Sequence, residues 1–566
     1  MMTWSQIFSP VGGSLGLSAL VAVIPILYFF WALAVKRMKG HVAGSTTLLV
    51  AVLIAILVYG MPVGMAVMSA IQGAVYGILP IGWIIIASVF LYKLTVKSGQ
   101  FDIIRSSVVS ITEDRRLQAL LIAFSFGAFL EGAAGFGAPV AISAALLAGI
   151  GFHPLYAAGI CLLANTAPVA FGAIGTPIIA VSGPTGIPAI DISQIVGRQL
   201  PLLSILVPFY LVVLMCGFRR TMEVLPAILV SGISFAVTQF FTSNYMGPEL
   251  PDILSALVSI VCLTLFLKVW QPRSIFRFEA DQTETRTVGG AGATGGKNGE
   301  TLLAGRVLYA WSPFLVLTAL ISLWGIPAVK LALTGKYEGG NVLLSALNSI
   351  GKALTFAPPV PGLHRLVIGA NGKPIDAVFK LELLVAAGTA ILFAAVITKF
   401  ICRLSWREWG KTFGETLCEL RFAIVTIASV VGFAYVANAS GMSTTLGMTL
   451  AATGILFPFF SPILGWLGVF LTGSDTSSNL LFGGLQKVTA IQLGMDPALA
   501  IAANSSGGVT GKMISPQSIA VACAAVGLAG KDADLFRFTC RHSVLLLLII
   551  CMLTYLQTNI LSWMLP

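Results

Sequence analysis

The chain has 566 residues, of which 57% are hydrophobic and 10% charged, with a formal net charge of +11 and a mean hydropathy of +0.94. That usage excludes a soluble globular protein and reads as an all-α polytopic membrane protein. Lys and Arg fall in short clusters between apolar runs, so the positive balance reports topology and anionic lipid, and no nucleic-acid partner is expected.

In chain order, the first apolar run, about 14–35, is long enough to span. It follows a start, MMTWSQIF, that lacks a basic flank, so it is expected to remain as an anchor. Further spans are predicted at 44–68, 73–95, a broken segment 117–151, 155–182, 199–218, 223–243 and 251–269. If 117–151 returns to the side it entered from, the clusters Lys36/Arg37/Lys39, Arg105 with Arg115/Arg116, Arg219/Arg220 and Arg273/Arg277 share one side. The positive-inside rule makes that side cytoplasmic and the N-terminus extracytoplasmic. A polar, Gly-rich cytoplasmic linker at 271–305 divides an N-terminal half, 1–270, from a C-terminal half, 306–566. The second half resumes at 307–326, followed by an extracytoplasmic loop at about 328–379 carrying the turn signals PPVPG and NGKP. Spans at 380–400, 421–437 and 443–460 precede a second broken region, 462–486. A segment 497–530, interrupted from Asn504 to Pro516, and a terminal helix at 542–561 complete about 11–14 membrane segments.

Two stretches organise the rest. Leu117 to Gly151 holds a single charge, Glu131, at the head of EGAAGFGAPV. A continuous helix of that length would reach about 50 Å, against a hydrocarbon core of about 30 Å. It must break, and Gly132, Gly135, Gly137 and Pro139 supply the break by removing helix propensity and a backbone donor. From Phe422 to Gln486 the only charge is Asp475, within FLTGSDTSSNLLFG. The two regions repeat one another. Phe129-Leu130-x-Gly132 matches Phe470-Leu471-x-Gly473, His153-Pro154 matches Asp496-Pro497, and Asn165-Thr166, Gly172 and Thr176-Pro177 recur as Asn504-Ser505, Gly511 and Ser515-Pro516. Paired Gly/Pro-interrupted segments in two halves point to the binding site of a secondary transporter.

Glu131 and Asp475 are the candidates for proton coupling, because a carboxyl at membrane depth is functional by default. Either carboxyl alternatively serves only to hold its hairpin together. Gly135 and Gly137 at the first tip, Asn165, Thr166 and Thr176 in the first interruption, Ser474, Thr476, Ser477 and Asn479 at the second tip, and Asn504, Ser505 and Ser515 in the second interruption are candidate substrate contacts. Freed backbone groups and half-helix N-termini there suit an anionic group, although packed helices use the same small polar residues for interhelical hydrogen bonds. Lys512, the sole charge between Asp496 and Lys531, answers to a substrate carboxylate, to Asp475, to Glu131, or to the membrane interface by snorkelling. Arg198 and Arg421 are alternative carboxylate partners, but each lies near a predicted span end, where topology accounts for it better. GAAGFG fails the order of a dinucleotide loop and no Walker lysine follows, so ATP-driven transport has no support. The eight Cys and four His show no CxxC or ligand spacing, so neither a metal nor a cofactor is expected. A membrane enzyme would need a nucleophile and base at usable spacing, which are not seen.

EGAAGFGAPVAI at 131–142, LANTAPVAFGAIGTP at 163–177, GSDTSSNLLFG at 473–483 and ANSSGGVTGKMISPQSIAVA at 502–521 closely resemble the bacterial L-lactate permease family, along essentially the whole chain. The resemblance implies an inner-membrane symporter importing L-lactate, D-lactate and glycolate with protons, on an ion-transporter-like fold of two repeats with re-entrant hairpins. A sodium-coupled carboxylate transporter shares the hairpin logic and stays open, as does assembly into a homo-oligomer.

Overall fold

The computed structural model describes residues 3–135, 137–278, 304–369, 372–528 and 531–566. Most of the predicted Gly-rich linker lies outside the described residues. Among them, eleven helices are long and apolar enough to cross a membrane. Four two-residue strands make two small pairings, Trp4–Ser5 with Val367–Ile368 and Thr355–Phe356 with Leu381–Glu382.

The site is built from two hairpins, two interrupted segments and a helix packed on the first hairpin. The first hairpin descends through Arg115–Ala119 and a π-helical turn, Leu120–Phe126, into α1 (Gly127–Ala133), and returns as α2 (Ala138–Gly149). Gly135 (φ 61°) and Gly137 (φ 84°) occupy the left-handed region at its tip, which a Cβ would disfavour, and Pro139 starts the return helix without losing a hydrogen bond. The next element is α3 (Pro154–Ala164), then a 3₁₀ turn at Val169–Phe171 and α4 (Gly172–Thr185), with a 65° bend between them. Pro168 and the positive φ of Ala173, Ile174 and Gly175 mark the break. α5 (Pro251–Val269) packs against α1.

The second hairpin is α6 (Phe457–Thr472), a left-handed Gly473 (φ 71°), and α7 (Asp475–Gln492). It is longer than the expected 462–486. Lys487 does not end the helix, because its ammonium is half-buried and donates to the Thr185 carbonyl at 2.5 Å. α8 (Pro497–Lys512) and α9 (Pro516–Ala525) follow. Contrary to the interruption expected from Asn504 onward, Asn504 and Ser505 lie inside intact α8, and the chain breaks only at Met513–Ser515. The first copy breaks at once after Asn165 because Pro168 cannot continue a helix. The second has Ser506, Gly507 and Gly508 at the corresponding positions, all of which the helix accepts.

The predicted spans 44–68 and 73–95 become Gly40–Leu57 and Val63–Lys97, since Gly60 (φ 67°) and Pro62 break the chain between them. The final helix runs from Asp532 to Gln557.

The two hairpins enter from opposite faces. Arg116, fully buried at the start of the first, donates to both Asp114 oxygens, Glu223, the Arg220 carbonyl and the Ser274 carbonyl. Three basic clusters of the sequence thus gather at one end. At the other end Trp4 pairs with Val367, and Lys487 and Gln492, at the base of the second hairpin, share a cavity wall with Leu363 and Asp376.

Candidate functional site

Glu131 sits in the last turn of α1 and Lys512 is the last residue of α8, and both are buried. The Lys512 ammonium donates to Glu131 Oε1 at 2.6 Å. Of the partners the sequence allows for Lys512, Glu131 is the one it takes. The contact joins the two halves of the chain and is shaped by glycine. A Cβ on Gly172 would stand 2.7 Å from Glu131 Oε1, and one on Gly132 would stand 2.7 Å from the Asp252 Cβ.

Asp475 opens α7 directly after Ser474, whose hydroxyl caps the helix by accepting from the Ser477 N–H at 3.2 Å. Asp475 Oδ2 accepts from the Ser505 hydroxyl at 2.6 Å and from the Asn479 amide at 3.4 Å. Asp475 Oδ1 has no partner among the described residues and lies against Gly508, whose added Cβ would be 2.2 Å away. Behind it the amides continue inward. Asn504 donates to Asn479 Oδ1 at 2.8 Å, and Gln486 donates to Asn504 Oδ1 at 3.0 Å. Asn479 also donates to the Pro177 carbonyl at 3.2 Å, linking the second hairpin to the first repeat.

Between the tips lies a cavity of about 110 Å³, with Glu131, Gly135, Gly137, Gly172, Ser474, Asp475, Thr476, Lys512, Gln517 and Ser518 in its wall. A water-sized group needs about 10–15 Å³ on this scale, so the space suits a compact three-carbon acid. Three helices begin at its wall: α2 after Gly137, α7 after Ser474, and α9 at Pro516. Their free N–H groups and positive dipole ends, beside the Lys512 ammonium, are an anion-binding arrangement. Val169, Ala173 and Val521 give it an apolar side. A second cavity, of about 1060 Å³, is lined by Ser474, Thr476 and Gln517 as well, and by Arg37, His41 and Arg537. It therefore adjoins the small cavity, and Arg37 of the first basic cluster is in its wall. On the far side Tyr76 and Tyr435 face one another with centroids 6.0 Å apart, and Asn438 donates to the Pro184 carbonyl at 2.9 Å.

The family model described as L-lactate permease matches residues 18–561. The chain belongs to the L-lactate permease family. Its relatives include the L-lactate permease of Bacillus subtilis, 67% identical, and glycolate permease GlcA of Escherichia coli, 56% identical, each aligned over all of both chains. The L-lactate permease of Escherichia coli is 52% identical, again over all of both chains. This permease is a transporter and not an enzyme.

Of the residues singled out in the sequence of this permease, Glu131, Gly135, Gly137, Ser474, Asp475, Thr476 and Lys512 meet at the small cavity, and Ser477 lines the larger one. Asn479, Asn504 and Ser505 stand behind Asp475. Asn165 is buried with its amide nitrogen unpartnered among the described residues. Thr166 and Thr176 donate to carbonyls of their own helical turns, at Leu163 and Ala173, and Ser515 caps α9 through Ser518. These four are not in the cavity wall. Arg198 is tied to Asn244 and the Met564 carbonyl, and Arg421 is exposed. Sequence reasoning passed over Gln517, Ser518 and Asp252. The signal for the first two is the N-cap pattern Ser-Pro-Gln-Ser at 515–518, which places side chains and N–H groups at a helix start.

Proposed function

We propose that this protein is a proton symporter of the bacterial inner membrane that imports L-lactate and related 2-hydroxy monocarboxylates, D-lactate and glycolate. One observation carries the reading: a compact cavity joins Lys512 and three helix N-termini to two buried carboxyls, Glu131 and Asp475, contributed by opposite halves. The ammonium and the N–H groups receive the substrate carboxylate. Ser474, Thr476, Gln517 and Ser518 offer partners to a 2-hydroxyl, and Val169 and Val521 offer a small apolar wall. The names of the full-length relatives, L-lactate permeases and a glycolate permease, support this substrate class.

Charge supports the coupling. One ammonium already faces two carboxyls, and a third, Asp252, stands behind them. An entering anion adds a further negative charge beside carboxyls that are already buried, and a co-transported proton offsets it. We infer a cytoplasmic opening for the large cavity, whose wall includes Arg37 and Arg537, which puts the N-terminus outside. Alternating access then moves one half against the other around the site.

Purified protein in proteoliposomes tests this. Labelled L-lactate should accumulate under an inward proton gradient and not under a sodium gradient at equal pH, and unlabelled glycolate and D-lactate should compete. Accumulation driven by sodium alone would replace the reading with the sodium-coupled one.

A further inference from the structure

Asp252 is the second residue of α5 and is 1% exposed, yet neither of its carboxylate oxygens has a hydrogen-bond partner among the described residues. Its Cβ packs on Gly132, next to Glu131, and it lies within electrostatic reach of both Glu131 and Lys512. Glu131 Oε2 is also unpartnered. Three orphan carboxylate oxygens, two on Asp252 and one on Glu131, therefore lie about a pair whose ammonium has engaged only Glu131 Oε1. The other helices packed on α5 contribute little charge. The helix Leu225–Tyr245 carries only the exposed Tyr245 as a titratable group, and the π-helical turn Leu120–Phe126 and α4 carry none.

We propose that Asp252 is the proton-loading group of the transport cycle, and that its carboxylate and the substrate carboxylate compete for Lys512. The inference rests on the proton-symport reading. In the empty, deprotonated carrier the Lys512 ammonium is hydrogen-bonded to Glu131 and offsets the charge of Asp252 through space. A proton on an Asp252 oxygen removes its negative charge from beside the ammonium, and the substrate carboxylate takes one of the ammonium's donors not given to Glu131, while Glu131 keeps its own. Both forms that cross the membrane, empty with Asp252 ionised and loaded with Asp252 protonated, then carry the same net charge. Substrate without the proton would leave an unpaired carboxylate in a buried site, which is costly. The geometry around Asp252 fits this role. It lies behind Glu131 and outside the wall of the small cavity, so it acts on the substrate only through the shared lysine.

The test compares wild type with Asp252→Asn in proteoliposomes holding a trapped pH indicator. In wild type, L-lactate should acidify the interior, and apparent affinity should weaken about tenfold per pH unit above the loading range, as linkage to one proton requires. Asp252→Asn mimics the protonated form. It should keep L-lactate counterflow, lose accumulation under a proton gradient, and bind L-lactate with an affinity independent of pH. Unchanged proton entry and an unchanged pH slope in Asp252→Asn, with wild type coupled, would overturn the role of Asp252 alone. No acidification in wild type would overturn the symport reading itself. If Asp252→Asn does not purify as a folded protein, Asp252→Glu decides: a displaced pH dependence of uptake supports the proposal, and a superimposable one refutes it.

Discussion

Replacing Lys512 by Met removes the ammonium from a buried pair while keeping most of the side-chain volume. Lys512 and Glu131 are 8% and 3% exposed, with Nζ and Oε1 2.6 Å apart. Oε2 already lacks a partner, so the substitution strips Glu131 of its counter-charge and of a charge-assisted hydrogen bond. Removing one member of such a pair costs about 3–5 kcal/mol, because the remaining charge is left buried and alone. At about 1.4 kcal/mol per factor of ten, that is a loss of at least two orders of magnitude in any equilibrium that requires the ionised pair. The single variant should therefore melt earlier in detergent and show no measurable L-lactate counterflow. The double variant Glu131→Gln, Lys512→Met removes both charges, so it should recover most of the thermal stability and none of the transport. A Lys512→Met protein with wild-type melting and wild-type counterflow would refute the reasoning, since the buried pair would then support neither the fold nor the site.

Two further outcomes follow from particular contacts. Gly508→Ala sets a Cβ about 2.2 Å from Asp475 Oδ1 and 2.8 Å from Val469 Cγ2, so it should displace the Asp475 carboxylate from Ser505. The overpacking should cost roughly 1–3 kcal/mol and abolish uptake, whereas Gly64→Ala, with nothing within 4 Å, should leave uptake unchanged; counterflow on the two purified variants compares them. At the basic end, the hydrogen bond from Arg116 holds the Glu223 carboxyl below the usual glutamate range. A depressed value means stabilisation that is present at neutral pH and lost as pH falls through the folded-state value. Glu223→Gln should lower stability at neutral pH by roughly 0.5–1 kcal/mol, a modest figure because the glutamate is partly exposed, and its melting temperature should converge with that of wild type on acidification.

Much of this arrangement was legible in the sequence because membrane chemistry makes a lone polar residue conspicuous. Glu131 and Asp475 stand out as single charges in long apolar runs, and the glycines and prolines beside them identify where a helix must stop. Their positions at facing tips follow from the repeat. Asp252 was not legible, because an aspartate one residue after Pro251 reads as an ordinary helix start at the edge of a span. Only the packing of α5 on Gly132 carries it to the Glu131–Lys512 pair. Matched spacing misled at Asn504 and Ser505. The repeat suggested a second break there, yet without a counterpart to Pro168 the helix continues to Lys512. Asn504 and Ser505 consequently orient Asp475 from behind and do not line the cavity. Span ends shifted where a basic residue found a buried partner, as Lys487 does at Thr185.

The account depends on a small organic acid being held between the two tips. A cryo-EM structure of the purified protein with L-lactate tests this most directly. Ligand density should fill the space bounded by Lys512, Ser474, Thr476 and Gln517, with its carboxylate turned toward the Lys512 ammonium and the first turns of α7 and α9. Density for L-lactate elsewhere in the protein, with that space empty, would contradict it.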